Sequence, residues 1–199
     1  LFRLPRAGLG GASLNLTALK KEARQRAFAL RKPAHAEYRA AASQALCDHL
    51  AGTAGRVIAG YLPIRTEADP LSAMEALSAA NRIAVPIVIG PGMPLVFREW
   101  RPGCRLEEGA FGVMVPTGGE ELIPDLVIAP LVAFDRELFR LGYGGGFYDR
   151  TLEGLRRRGK VEVLGFAYSA QFLETLPLEA TDQPLDTVLT ERGVFPRAP

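Results

Sequence analysis

The chain has 199 residues, 48% of them hydrophobic and 23% charged, and its 24 Lys and Arg against 22 Asp and Glu leave a net charge of +2. Such values exclude a disordered chain, and the near-balance of charge argues against a dedicated nucleic-acid binder, whose affinity would rest on a basic face. No apolar run approaches the ~18 residues of a membrane span, so small-molecule partners, with no nucleic acid and no membrane, are the expectation.

Residues 1–13 carry Arg3 and Arg6 but no apolar stretch with a cleavage site, and read as a loose leader before one domain over 14–199. Over 15–31, Leu16, Leu19, Ala23, Ala27 and Leu30 recur at three- and four-residue steps, which predicts a helix stopped by Pro33. A second helix is predicted over 34–51, ended by Gly52 and Gly55. Residues 56–62 read as a buried strand, and Asp69 and Pro70 open a helix running to about residue 80. Strands follow over 82–89, 95–100, 112–116 and 126–129, then a helix over 147–158, a strand over 161–167 and a last short strand over 187–191.

Unbroken apolar strands alternating with helices predict an α/β fold, with a mostly parallel central sheet covered by helices on both faces in three layers. Ligands of such sheets bind beyond the carboxyl ends of the strands, which directs attention to the loop after residues 126–129. There Gly142, Gly144, Gly145 and Gly146 fall within five positions. Such a run lets backbone N–H groups converge on phosphate oxygens, and the N-terminus of the following helix adds positive potential. It is neither a Walker loop, since no Lys-Ser/Thr pair follows the glycines, nor a Rossmann fingerprint, since the spacing and position differ. Taken alone, the run fits either a phosphate cradle or a turn-forming surface loop.

Residues 140–150, from Arg140, Leu141, Gly142 and Tyr143 through Gly144, Gly145 and Gly146 to Phe147, Tyr148, Asp149 and Arg150, resemble the signature of the 5-formyltetrahydrofolate cyclo-ligase (methenyltetrahydrofolate synthetase) family. The resemblance runs from Lys20 to Glu191. Its other markers are Lys20 with Arg24, Tyr61-Leu62-Pro63 followed by Glu67, residues 125–130, and residues 182–186. It implies a single α/β domain closing folate and ATP into one cleft, and a cytoplasmic, monomeric enzyme. The reaction implied is ATP- and magnesium-dependent conversion of 5-formyltetrahydrofolate to 5,10-methenyltetrahydrofolate, through a phosphorylated formyl group. A non-catalytic relative that binds nucleotide or folate is the alternative.

Carried over residue by residue, the resemblance gives Lys20, Arg24, Arg140, Leu141 and Gly142 to ATP, together with Tyr143, Gly144, Gly145, Gly146, Phe147 and Tyr148. Leu62, Glu67, Tyr143, Gly144, Gly145, Gly146 and Phe147 go to the folate. Arg24 and Tyr148 are the implied catalytic residues, and Asp149 and Asp186 the implied magnesium ligands. Two departures stand out: Phe147 occupies a position where many members have tyrosine, and Gly145 one where some have lysine. Without the resemblance, Lys20 and Arg24 read as a solvated basic helix face, Glu67 and Asp149 as acids complementing helix N-termini, and Asp186 as a turn acid. Cys47 and Cys104 fit no metal or redox spacing and suit a reducing compartment.

Overall fold

The computed structural model describes residues 10–195, with side chains from residue 15 onward. The chain opens with α1 (Gly10–His49), β1 (Val57–Ala59), α2 (Leu71–Leu77), β2 (Arg82–Ile87) and β3 (Val96–Trp100). A hairpin of β4 (Leu106–Glu108) and β5 (Met114–Pro116) precedes β6 (Glu121–Leu122) and β7 (Leu126–Pro130). A second, tighter hairpin pairs β8 (Ala133–Phe134) with β9 (Arg140–Leu141). It leads into α3 (Phe147–Arg158), β10 (Glu162–Phe166), β11 (Thr187–Thr190) and β12 (Gly193–Phe195).

Eight strands form the main sheet in the order β12-β11-β10-β7-β1-β2-β3-β6. The five from β11 to β2 are parallel, and the flanking β12, β3 and β6 are antiparallel. Period-two alternation sorts their apolar side chains. Ile58, Leu126, Ile128 and Leu164 pack on the face that also receives Leu46 of α1 and Met74 of α2. Ala59, Val127, Ala129 and Val163 pack on the other, with Leu152 and Leu155 of α3. This is the three-layer α/β arrangement that the strand–helix alternation predicts.

The first helix departs from the sequence expectation. Residues 10–49 form one continuous helix that passes through Pro33 instead of ending there. Proline removes one i→i−4 bond, leaving the carbonyl of Ala29 without its usual donor. Both Pro33 and Ala29 lie on the exposed side, where water can serve that carbonyl. Ala27, Ala34, Ala42 and Leu46 are buried along the opposite stripe, and their packing carries the helix across the break. Residues 10–13, expected within the leader, belong to this helix, while 1–9 lie outside the described residues. Among the described residues no helix is long and apolar enough to cross a membrane.

Candidate active site

The parallel strands of the sheet end on one side, and there a cavity of about 440 Å³ opens. Lys20 and Arg24, one turn apart on α1, face into it. Arg24 Nε donates to the Gly142 carbonyl oxygen at 2.8 Å. Its Nη2 lies 3.2 Å from where a Cβ on Gly144 would sit, and Gly144 has φ +107°. Glycine is therefore needed at 144 twice over, for the backbone angle and for the close approach of the guanidinium. Burial lowers the proton affinity of Arg24, opposed by Asp182 and Glu179. Lys20 Nζ donates to Glu179 Oε2 and Asp182 Oδ2, both at 2.9 Å. Burial works against the Lys20 ammonium, but hydrogen bonds to these carboxylates outweigh it and hold its pKa above the ordinary range.

The glycine-rich segment ends in Gly146, a left-handed residue at φ +63° that forms the N-cap of α3. The first N–H groups of α3 are thus presented at the cavity, where the helix dipole favours anions. Arg140 and Asp149 flank this helix start. Arg140 Nη2 donates to Asp149 Oδ1 at 3.0 Å, and its side chain is only 4% exposed. Burial depresses the proton affinity of Arg140 and the charge of Asp149 works against that. The Arg140 guanidinium also lies over the Tyr148 ring, 5.1 Å from its centroid. The Tyr148 hydroxyl is buried without a hydrogen-bond partner among the described residues. Burial raises its pKa well beyond the phenol range, so it stays protonated and can donate.

Past the carboxyl end of β1 stands Glu67, 5% exposed on the cavity wall together with Leu62. Glu67 Oε2 accepts the Ile64 N–H at 2.9 Å. Burial drives the pKa of Glu67 up, countered by that N–H, by the Arg31 charge and by a hydrogen bond with Tyr143. A buried carboxylate of this kind suits a ligand edge carrying two adjacent N–H donors. The β4–β5 hairpin supplies Gly109, Ala110, Val113 and Val115 to the wall. At its tip Phe111 is 78% exposed at φ +59°, with its ring centroid 6.0 Å from that of Phe147.

The cavity thus gathers Lys20, Arg24, Leu62, Glu67, every residue from Arg140 to Tyr148, and Asp149. Asp186 does not join them on the cavity wall. It precedes β11, at the amino ends of the parallel strands, where Oδ2 accepts the Val163 N–H at 2.8 Å and lies 3.7 Å from Arg156 Nη2. Among the described residues no group of three or more His, Cys, Asp or Glu is poised for a metal. Of the two implied magnesium ligands Asp149 is the one on the cavity wall, and both of its hydrogen bonds, from Arg140 and from the Gln183 N–H, fall on Oδ1. Magnesium completes its shell readily with phosphate oxygens and water. Glu179, Asp182 and the β4–β5 hairpin went unassigned in the sequence. The three-residue spacing of two acids on a turn was a signal too common to single them out.

Comparison with known proteins gives a consistent picture. The family model described as 5-formyltetrahydrofolate cyclo-ligase family matches residues 16–191. The 5-formyltetrahydrofolate cyclo-ligase of Haemophilus influenzae is 39% identical over 100 residues, a stretch covering 48% of this chain and 53% of that protein. The Escherichia coli protein of the same name is 34% identical over 146 residues, 69% of this chain and 79% of its own. The NMR structure of the Aquifex aeolicus 5,10-methenyltetrahydrofolate synthetase aligns with a TM-score of 0.73 at 34% identity, over 88% of this chain and 91% of that one.

Proposed function

The chain belongs to the 5-formyltetrahydrofolate cyclo-ligase family, and on that premise we propose that it converts 5-formyltetrahydrofolate to 5,10-methenyltetrahydrofolate with ATP and magnesium, releasing ADP and phosphate. The observation that carries this reading is one cavity with two chemistries. Cations, glycine-rich backbone and a helix N-terminus lie toward Lys20, Arg24 and Arg140, and a buried carboxylate lies at Glu67.

The formyl oxygen on N5 of the folate attacks the γ-phosphorus of ATP, and ADP departs. The phosphorylated oxygen is then a good leaving group. N10 attacks the formyl carbon and gives up its proton, the ring closes, and phosphate leaves with that oxygen. Catalysis here is chiefly positioning and neutralisation of phosphate charge. Lys20, Arg24 and Arg140 bring cations to the triphosphate, and the amides of residues 142–148 cradle it. The phosphates replace the carboxylates of Glu179 and Asp182 as partners of Lys20. Arg24, braced on Gly142, follows the transferred group. The protonated Tyr148 hydroxyl donates to substrate oxygen. Glu67 accepts the amino-pyrimidine edge of the pterin, with Leu62 against its face, and Tyr143 through Phe147 border the folate. Asp149 would hold magnesium, which offsets triphosphate charge when bound.

One chain completes the cavity, so a monomer suffices. The cysteines Cys47 and Cys104 are both unpaired, which suits the cytoplasm. The test is to mix the protein with 5-formyltetrahydrofolate, ATP and magnesium and to follow methenyltetrahydrofolate by absorbance and ADP by a coupled assay. Equal yields of the two products support the reading. No product at high enzyme concentration overturns it, and folate binding without ATP consumption would identify a non-catalytic relative.

A further inference from the structure

Arg31 lies behind the cavity wall, not on it. It follows Arg24 by seven residues on α1, and the whole residue is 1% exposed. Its Nε donates to Thr66 Oγ1 at 3.0 Å and its Nη2 to the Tyr143 hydroxyl at 3.1 Å. Its Cζ sits 5.1 Å from the Phe28 ring centroid. Its Nη1 is buried without a partner among the described residues. An unspent donor on a desolvated cation disfavours folding, so a residue that merely filled this space would be better apolar. Its two partners lead to the cavity wall: Tyr143 lines it, and Thr66 precedes Glu67, which lines it too and whose ionised form the Arg31 charge favours.

We infer that Arg31 is a positioning residue for the folate end of the site: its bonds to Thr66 and to the Tyr143 hydroxyl hold Glu67 and Tyr143 in place, and it does so without touching substrate. This rests on the reading that Glu67 receives the pterin edge. The other titratable or charged groups facing Glu67 are Tyr143, Tyr61, Tyr148 and Arg65. The tyrosines are neutral. Arg65 is exposed, so water screens its charge. Arg31 is the cation that acts from inside, where screening is weak.

The experiment is calorimetric titration of 5-formyltetrahydrofolate, without ATP, into the wild type, Arg31→Met, Arg31→Lys, Glu67→Gln and the Arg31→Met/Glu67→Gln double variant. Loss of a buried carboxylate's neighbouring cation should weaken folate binding about tenfold or more in Arg31→Met while ATP affinity stays within about twofold. The acid limb of folate binding should move to higher pH in Arg31→Met and stay near the wild-type position in Arg31→Lys. The loss in the double variant should fall short of the sum of the two single losses. If Arg31→Met does not fold, Arg31→Gln takes its place in the same cycle. Additive losses, unchanged folate affinity, or equal losses of folate and ATP affinity would overturn the inference. A wild type that binds folate but makes no product defeats the catalytic reading and leaves this comparison decisive. A wild type that binds no folate defeats both.

Discussion

Arg24 Nε stands 2.8 Å from the Gly142 carbonyl oxygen, across 118 residues of sequence. The bond ties the first helix to the glycine-rich segment, so both substitutions at this junction should damage the same step. Arg24→Ala is expected to lower kcat/KM for ATP by about a hundredfold, the loss typical of a charge-stabilising donor. Gly144→Ala adds a methyl at φ +107°, 3.2 Å from Arg24 Nη2. It should cost about 1 kcal/mol of stability and reproduce part of the ATP defect. Steady-state kinetics with thermal melts checks both, and a Gly144→Ala enzyme with wild-type ATP kinetics would contradict the arrangement.

Asp149 and Asp186 should separate cleanly. Asp149→Asn removes the charge facing the buried Arg140 guanidinium and should cost about 2 kcal/mol of stability, while raising the magnesium concentration needed for half-maximal rate. Asp186→Asn should leave magnesium dependence unchanged and cost no more than about 1 kcal/mol, through its bond with the Val163 N–H. Magnesium titrations and denaturant unfolding of the two variants, side by side, decide the matter.

Burial raises the pKa of Glu67 above its ordinary value. Between the ordinary and the raised value the folded chain holds a proton that the unfolded chain has released, so stability falls as pH rises through that window. Glu67→Gln should therefore melt higher than the wild type at neutral pH and equal it below the ordinary carboxylate range. If Glu67 receives the pterin edge as proposed, the same ionisation should gate folate binding with the opposite sense, because that edge needs the anion. Wild-type KM for folate should rise as pH falls through a limb lying above the usual carboxylate range, and Glu67→Gln should lack that limb.

The unpartnered Tyr148 hydroxyl gives a complementary test. Removing a buried hydroxyl that has no partner among the described residues should leave stability unchanged or raise it slightly. If that hydroxyl donates to substrate, Tyr148→Phe should lower kcat by about ten- to a hundredfold. A stable Tyr148→Phe enzyme with full kcat would remove the residue from the chemistry.

Much of this was legible in the chain itself. The parallel strands announce themselves as apolar runs, since both faces of Leu126–Pro130 are covered. The helix Phe147–Arg158 falls where its amphipathic pattern places it. Pro33 misleads because local propensity is overruled by the buried stripe on which Ala34 and Ala42 sit. Short pieces such as Ala133–Phe134 and Arg140–Leu141 are too brief to carry a period and exist by pairing with each other and, at Phe134, by bridging to Phe172. That Asp186 lies at the amino ends of the parallel strands, away from the cavity, was not legible, because the chain does not show which end of a strand a side chain occupies. Arg31 was hidden among Arg26, Lys32 and their neighbours, since charge in a helix carries no mark of burial.

Arg24 and Arg31 share one rod, α1, held two turns or about 10 Å apart along its axis. Under the proposed function that rod works as a ruler between the two reactants. Deleting a single residue between these arginines should swing one of them about 100° around the axis, and the register between the two ends of the cavity should not survive it.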